Sequence, residues 1–280
     1  ALYPSATPRT KTERFVVDAL NAKVVHVEIK QGETLELSVV VTAGSPVNVV
    51  IGREARKEDN NFIIKGVTTD ATAIAPGGSR TYSFTASKAG TYLYYDTLNN
   101  NINREMGMYG MLWVGPSDGS QRVWTNGPTF SFQRLWVVSD MDKPRWNDVA
   151  ASGGTVNTAV YKPNYFMNNG KGGLDAKKDP AITIDGGLGQ TALIRIVNAG
   201  QLAQSLHFHA NHVQVVRMDN VQQAAPYKQL DVINVPPGTT ADVLFYLNQL
   251  GDYVLHNHTA HMETANGFYL NGVATMINIR

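Results

Sequence analysis

Six of the seven histidines in this 280-residue chain lie in its second half. Four of them form two pairs of the type H-x-H, His207-Phe208-His209 and His256-Asn257-His258. Each pair falls in a stretch that reads as a β-strand, and side chains on a strand alternate between faces with period two, so both imidazoles of a pair project from one face. Two such pairs on neighbouring strands would bring four imidazoles into one small volume. Neutral imidazole is a ligand for copper, zinc, iron or nickel. The competing reading is four polar rings on a solvated sheet edge or in a hydrogen-bond network. It is the weaker one, because packing several titratable rings together without a metal is electrostatically unfavourable. His212 and His261 lie just beyond the pairs and read as outer or surface positions rather than added ligands. His26, alone in the first half, reads as an ordinary strand residue.

The elements that must position these pairs are strands. Helical periodicity is scarce, while short β-branched runs recur between Gly, Pro and Asn turns. Examples are 24–30, 34–41, 112–114, 135–138, 192–197, 212–216 and 242–247, a spacing that predicts an all-β sandwich or barrel. The pattern also repeats. Gly32-Glu33-Thr34-Leu35-Glu36-Leu37 matches Gly189-Gln190-Thr191-Ala192-Leu193-Ile194. Gly77 precedes Phe84 as Gly238 precedes Phe245, and Gly90-Thr91-Tyr92 follows Phe84 as Gly251-Asp252-Tyr253 follows Phe245. Two copies of one β-domain are therefore expected, over residues 1–120 and 128–280, joined by a linker around Pro116–Pro128.

Composition narrows the chemistry. Hydrophobic residues make up 43%, charged residues 17%, and the net charge is +1. These values fit a globular chain, and no basic block points to nucleic acid. No apolar run approaches the roughly 18 residues of a membrane span. Cysteine is absent, which removes disulfides, thiolate metal sites and cysteine nucleophiles. No Ser–His–Asp arrangement, phosphate loop or carboxylate pair stands out. Met106, Met108 and Met111 could pass a soft ion along a strand, but Tyr109 and Trp113 beside them favour core packing.

With Gly90-Thr91-Tyr92-Leu93-Tyr94, Gly107-Met108-Tyr109-Gly110-Met111-Leu112-Trp113, Leu206-His207-Phe208-His209 and Leu255-His256-Asn257-His258 in view, the chain resembles the two-domain multicopper oxidases of the small-laccase group. The resemblance implies two tandem cupredoxin-like Greek-key barrels. In that family H-P-x-H-x-H precedes H-C-H-x3-H-x4-M. A blue (type 1) copper takes the first His, the Cys, the later His and the Met, and the other histidines help to hold a three-copper cluster. Here the type 1 positions fall on Gln204, Asn257, Met262 and Gly267, none a matching ligand. The cluster positions fall on His207, His209, His256 and His258, all present. Their first-domain counterparts fall near Val49, Ile51, Tyr95 and Thr97, with no imidazole.

The resulting expectation is a copper-binding protein, zinc being the other candidate, that holds metal at a partial His site without blue copper and without laccase-type activity. The alternatives are a structural or assembly subunit with a remnant site, or a mononuclear copper oxidoreductase using Asp96, Glu263 or Tyr95. Family analogy further implies a periplasmic or extracellular location, in keeping with a start at Ala1-Leu2-Tyr3-Pro4 that reads as a processed end. It also implies a homo-oligomer, a trimer before a subunit of a larger assembly.

Overall fold

The computed structural model describes residues 10–18, 26–43, 49–51, 72–98, 102–145, 147 and 160–280. In the first half, Thr34–Ala43 lies between Thr10–Asp18, which it meets in parallel, and Ser79–Thr85, which it meets antiparallel. A second sheet runs His26–Lys30, Tyr109–Gly115, Gly90–Tyr95, Val50–Ile51, with the first pair parallel and the others antiparallel.

The second half reproduces these pairings strand for strand. Phe132–Met141 runs parallel to Thr191–Asn198, which pairs antiparallel with Thr240–Tyr246. Ile184–Gly186 runs parallel to Ala274–Ile279, followed antiparallel by Gly251–Asn257 and Gln204–Phe208. Val232–Val235 completes a five-stranded sheet, and Tyr165–Asn168 and Val213–Met218 help to extend the other to seven. The chain is all-β and cupredoxin-like, and the internal match in sequence is a match in topology. The expected strands are present with their ends shifted by a few residues; Val24 and Val25 lie outside the described residues.

Alternation explains why each sheet buries one face. In Gln204–Phe208 the residues Gln204, Leu206 and Phe208 are buried, while Ser205 and His207 are only half-buried. Phe208 stacks on Trp136 with ring centroids 6.3 Å apart, and the Trp136 indole N–H donates to the Ile182 carbonyl at 3.0 Å. Side chains of this size, fully enclosed, each contribute about 1.5–3 kcal/mol by leaving water. This packed core is the floor beneath the histidine-bearing strands. The first half has its own core around Val27, Leu35, Leu37, Phe84 and Leu112.

The halves meet through a small apolar cluster that includes Leu93, Tyr109, Met111, Val137 and Val197. Beside it, the Thr91 hydroxyl donates to Asp242 at 2.6 Å, and Asp242 takes ion pairs from Arg195 at 3.3 Å and Arg217 at 3.5 Å. All four polar side chains are buried, and removing Asp242 alone would strand two cations away from water.

Candidate metal centre

Gln204–Phe208 and Gly251–Asn257 are antiparallel neighbours, and their ladder sets His207 directly opposite His256. Residues opposite one another share a face, so these two rings meet by register alone. His209 and His258 follow the last residue of their respective strands. Ring centroids lie 4.5 Å apart for His207 and His209, 5.2 Å for His207 and His256, and 4.9 Å for His207 and His258. One nitrogen from each of His207, His209 and His256 falls within 4.8 Å of the other two. His258, exposed like His209, is not in that trio, and its ring lies 6.1 Å from that of His256.

The ring nitrogens are oriented. His256 Nδ1 lies 2.8 Å from Glu263 Oε1 and 3.1 Å from the Asn257 carbonyl. Both partners are acceptors, so Nδ1 carries the proton and the Nε2 lone pair is left for a metal. That Nε2 faces His209 Nε2 at 3.2 Å. A tetrahedral ion with metal–nitrogen bonds of about 2.0–2.1 Å holds two ligand nitrogens roughly 3.3–3.4 Å apart, so this pair fits one ion with little movement. A carboxylate behind a ligating histidine is the usual device for fixing its tautomer. His207 Nδ1 is buried with no hydrogen-bond partner. Burial, then the neighbouring rings of His209, His256 and His258, holds His207 below the ordinary imidazole pKa; burial, then His256 and His258, does the same for His209. Both are therefore biased to the neutral form that binds metal.

The opposite face of the same strand pair carries Gln204 and Asn257, both fully buried. The Asn257 amide donates to Gln204 Oε1 at 2.7 Å, and the Gln204 amide donates to Asp140 Oδ2 at 3.3 Å. Met262 packs into the core. Asn266 (φ 49°) and Gly267 (φ 82°) form the turn between Thr264–Ala265 and Phe268–Tyr269. Such a two-residue hairpin turn needs positive φ at both positions, which suits Asn-Gly and not methionine. A blue copper centre does not fit here: its thiolate is missing, and a hydrogen-bonded amide pair fills its place. The imidazoles of His207, His209 and His256 do lie close enough together to fit a metal ion.

The other sequence candidates have varied surroundings. His212 is exposed and lines a groove with Arg122, Gln214 and Tyr246. His261 is exposed and packs edge-on against Phe166. Asp96 is buried, accepting from Leu98 N and Asn103 Nδ2, and Tyr95 lies under the Arg104 guanidinium. Of the three acid/base candidates, Glu263 is the one bonded to the cluster. Met106 is 47% exposed, while Met108 and Met111 pack with different core clusters, so the three form no relay. In the first half Val50 pairs with Tyr95 in the register that joins His207 to His256. The counterpart of His207 is thus Val50, one residue from both Val49 and Ile51, and imidazoles are missing at all of them.

Sequence reasoning did not find the Gln204–Asn257 bond or its link to Asp140. The available signal was two amides at adjacent ligand positions. It also passed over Asn266-Gly267, a hairpin signal in its own right.

An all-β chain of two repeated sandwiches with paired histidines at the end of the second defines a cupredoxin-type protein. Family models described as multicopper oxidase match residues 4–119 and 146–273. Together they span most of the chain, which belongs to the multicopper oxidase family. Solved structures with the same fold include a blue copper oxidase from Nitrosomonas europaea, at TM-score 0.75 and 21% identity over 92% of this chain and 78% of that one. A copper nitrite reductase from the same organism aligns at TM-score 0.69 and 19% identity, covering 96% and 94%. A laccase from Botrytis aclada aligns at TM-score 0.69 and 16% identity, covering 97% and 53%. No curated protein sequence matches the chain.

Proposed function

We propose that this chain is a copper-binding member of its family that holds metal at His207, His209, His256 and His258 and has no blue copper centre. The observation that carries the reading is the 3.2 Å approach of His209 Nε2 to His256 Nε2, with His207 within reach of both. Family membership implies copper, and among divalent ions imidazole sites favour copper over zinc. Copper bound here would supply a cation with room for an outside ligand. The chain's own contribution is to hold neutral imidazoles in place, with Glu263 fixing His256. Electrons have no thiolate-linked entry, so laccase-type turnover on phenolic reductants is absent. By family analogy the protein works in the periplasm or outside the cell and assembles as a homotrimer.

Elemental analysis of protein purified natively without added metal tests the reading. Copper near one equivalent per chain supports it. Metal-free protein that also fails to take up added copper overturns it, and zinc in place of copper overturns the assignment of the ion. Oxygen consumption with a phenolic reductant would contradict the expected lack of turnover. Light scattering at micromolar concentration reads the assembly, a single-chain mass ruling out the trimer.

A further inference from the structure

We infer that Gln204 and Asn257 form an amide clasp that sets the histidine cluster in its metal-binding arrangement before any metal arrives, an inference that rests on the metal-site reading above. The ladder between the two histidine-bearing strands ends at Leu206 opposite Asn257. Beyond that point the paired residues of the ladder end, and two further bonds join the strands. The Asn257 amide, reaching Gln204 at 2.7 Å, ties them on the inner face. The His258 N–H, donating to the Ser205 carbonyl at 2.6 Å, ties them at the backbone.

Asn257 has a second task. Its Oδ1 accepts the Thr259 N–H at 2.9 Å, an Asx turn that bends the chain two residues after the side chain. The bend leads into the short 3-10 turn Ala260–Glu263, at whose end Glu263 meets His256 Nδ1. One side chain therefore governs both the strand junction beneath the rings and the path that returns the carboxylate to His256. Its partner is anchored in turn. Asp140 accepts from Gln204, from the Tyr161 hydroxyl at 2.5 Å, and from the Gln201 and Leu202 N–H groups at 3.0–3.1 Å. Gly200 is needed beside it, since a Cβ there would collide with Asp140 Oδ2. Every amide group in the chain Asn257–Gln204–Asp140 has a partner, so the strut needs no metal to complete it. Gln204 and Asn257 are positioning residues: they touch no metal, and they act through His256 and His258.

The test uses the full chain, with histidine-ring tautomers read by NMR in metal-free protein and copper(II) affinity read by competition titration. Metal-free parent should show His256 as a single tautomer protonated at Nδ1. Asn257→Ala should mix the tautomers and weaken copper binding tenfold or more, in the range found for partners that orient metal ligands. Asn257→Ser, whose hydroxyl can still accept from Thr259, should keep the tautomer and recover part of the affinity, while Gln204→Ala should weaken affinity with the turn intact. If Asn257→Ala fails to fold, the other two variants carry the test. A single Nδ1–H tautomer and parental affinity in every folded variant would overturn the clasp. Parent protein that shows the tautomer and its loss on substitution but binds no copper would support the clasp and reject the metal-site reading.

Discussion

The two faces of one strand pair have opposite contents. Outward from Gln204–Phe208 and Gly251–Asn257 stand imidazoles with lone pairs to offer. Inward, one residue from His256 and three from His207, stand Asn257 and Gln204, each amide oxygen and nitrogen of which has a partner. Period-two alternation puts the two sets of side chains on separate faces, so they are coupled through the strand pair that carries both and its register. The lesson is that the inner face can carry amides and no metal ligand while the outer face carries histidines, if something holds the strands. Here that something is a hydrogen-bonded amide pair.

The sharpest way to break the comparison is to remove the anchor of the inner face. Asp140→Ala leaves the Tyr161 hydroxyl, two backbone N–H groups and the Gln204 amide without their acceptor inside the protein. One buried donor, the Gln204 amide, at about 1–3 kcal/mol, with smaller costs from the three part-buried donors, predicts a loss of at least roughly 2 kcal/mol. Urea unfolding of the metal-free protein measures it, and a loss below about 1 kcal/mol would mean that the inner face is not held this way.

A smaller effect is expected from Asn257→Cys, which restores the thiolate alone. It deprives Gln204 Oε1 and Thr259 N of partners, costing about 1–3 kcal/mol. With Gln204 and Met262 still in place, copper-loaded protein should show no intense absorption near about 600 nm, the thiolate-to-copper band of a blue site. An intense band would show that the inner face can still accept copper.

The smallest effect concerns the lone histidine of the first half. His26 Nδ1 is buried without a partner, and burial lowers its pKa from the ordinary value of 6.5. The unfolded chain therefore takes up this proton first as pH falls. The associated stability is complete above pH 6.5 and is lost as pH drops through that value toward the folded pKa. His26→Leu should flatten this part of the pH dependence of the urea midpoint in metal-free protein. An unchanged slope would show that the ring is solvated.

Much of this was legible in the sequence, for identifiable reasons. Repeated Gly/Phe/Gly spacing gave the matched sheets, because turns and core aromatics are set locally. The two H-x-H pairs gave the cluster, because alternation acts within a few residues. Hidden from view were features made by long-range contacts. Gln204 and Asn257 are 53 residues apart and Gln204 and Asp140 are 64 apart, and nothing local marks them as partners. The one-residue offset to Val50 was equally invisible, since register depends on the facing strand. Glu263 was a candidate by position only; the bend at Asn257 brings it to His256.

Copper(II) titration of the His209→Ala/His256→Ala double variant asks whether the histidines form one metal site. Both substitutions lie on the outer face and leave the amide pair intact, so the variant should fold. Copper binding is expected to be abolished in this variant, while His26→Ala binds like the parent. A folded double variant that binds copper as tightly as the parent would place the site elsewhere and contradict the account.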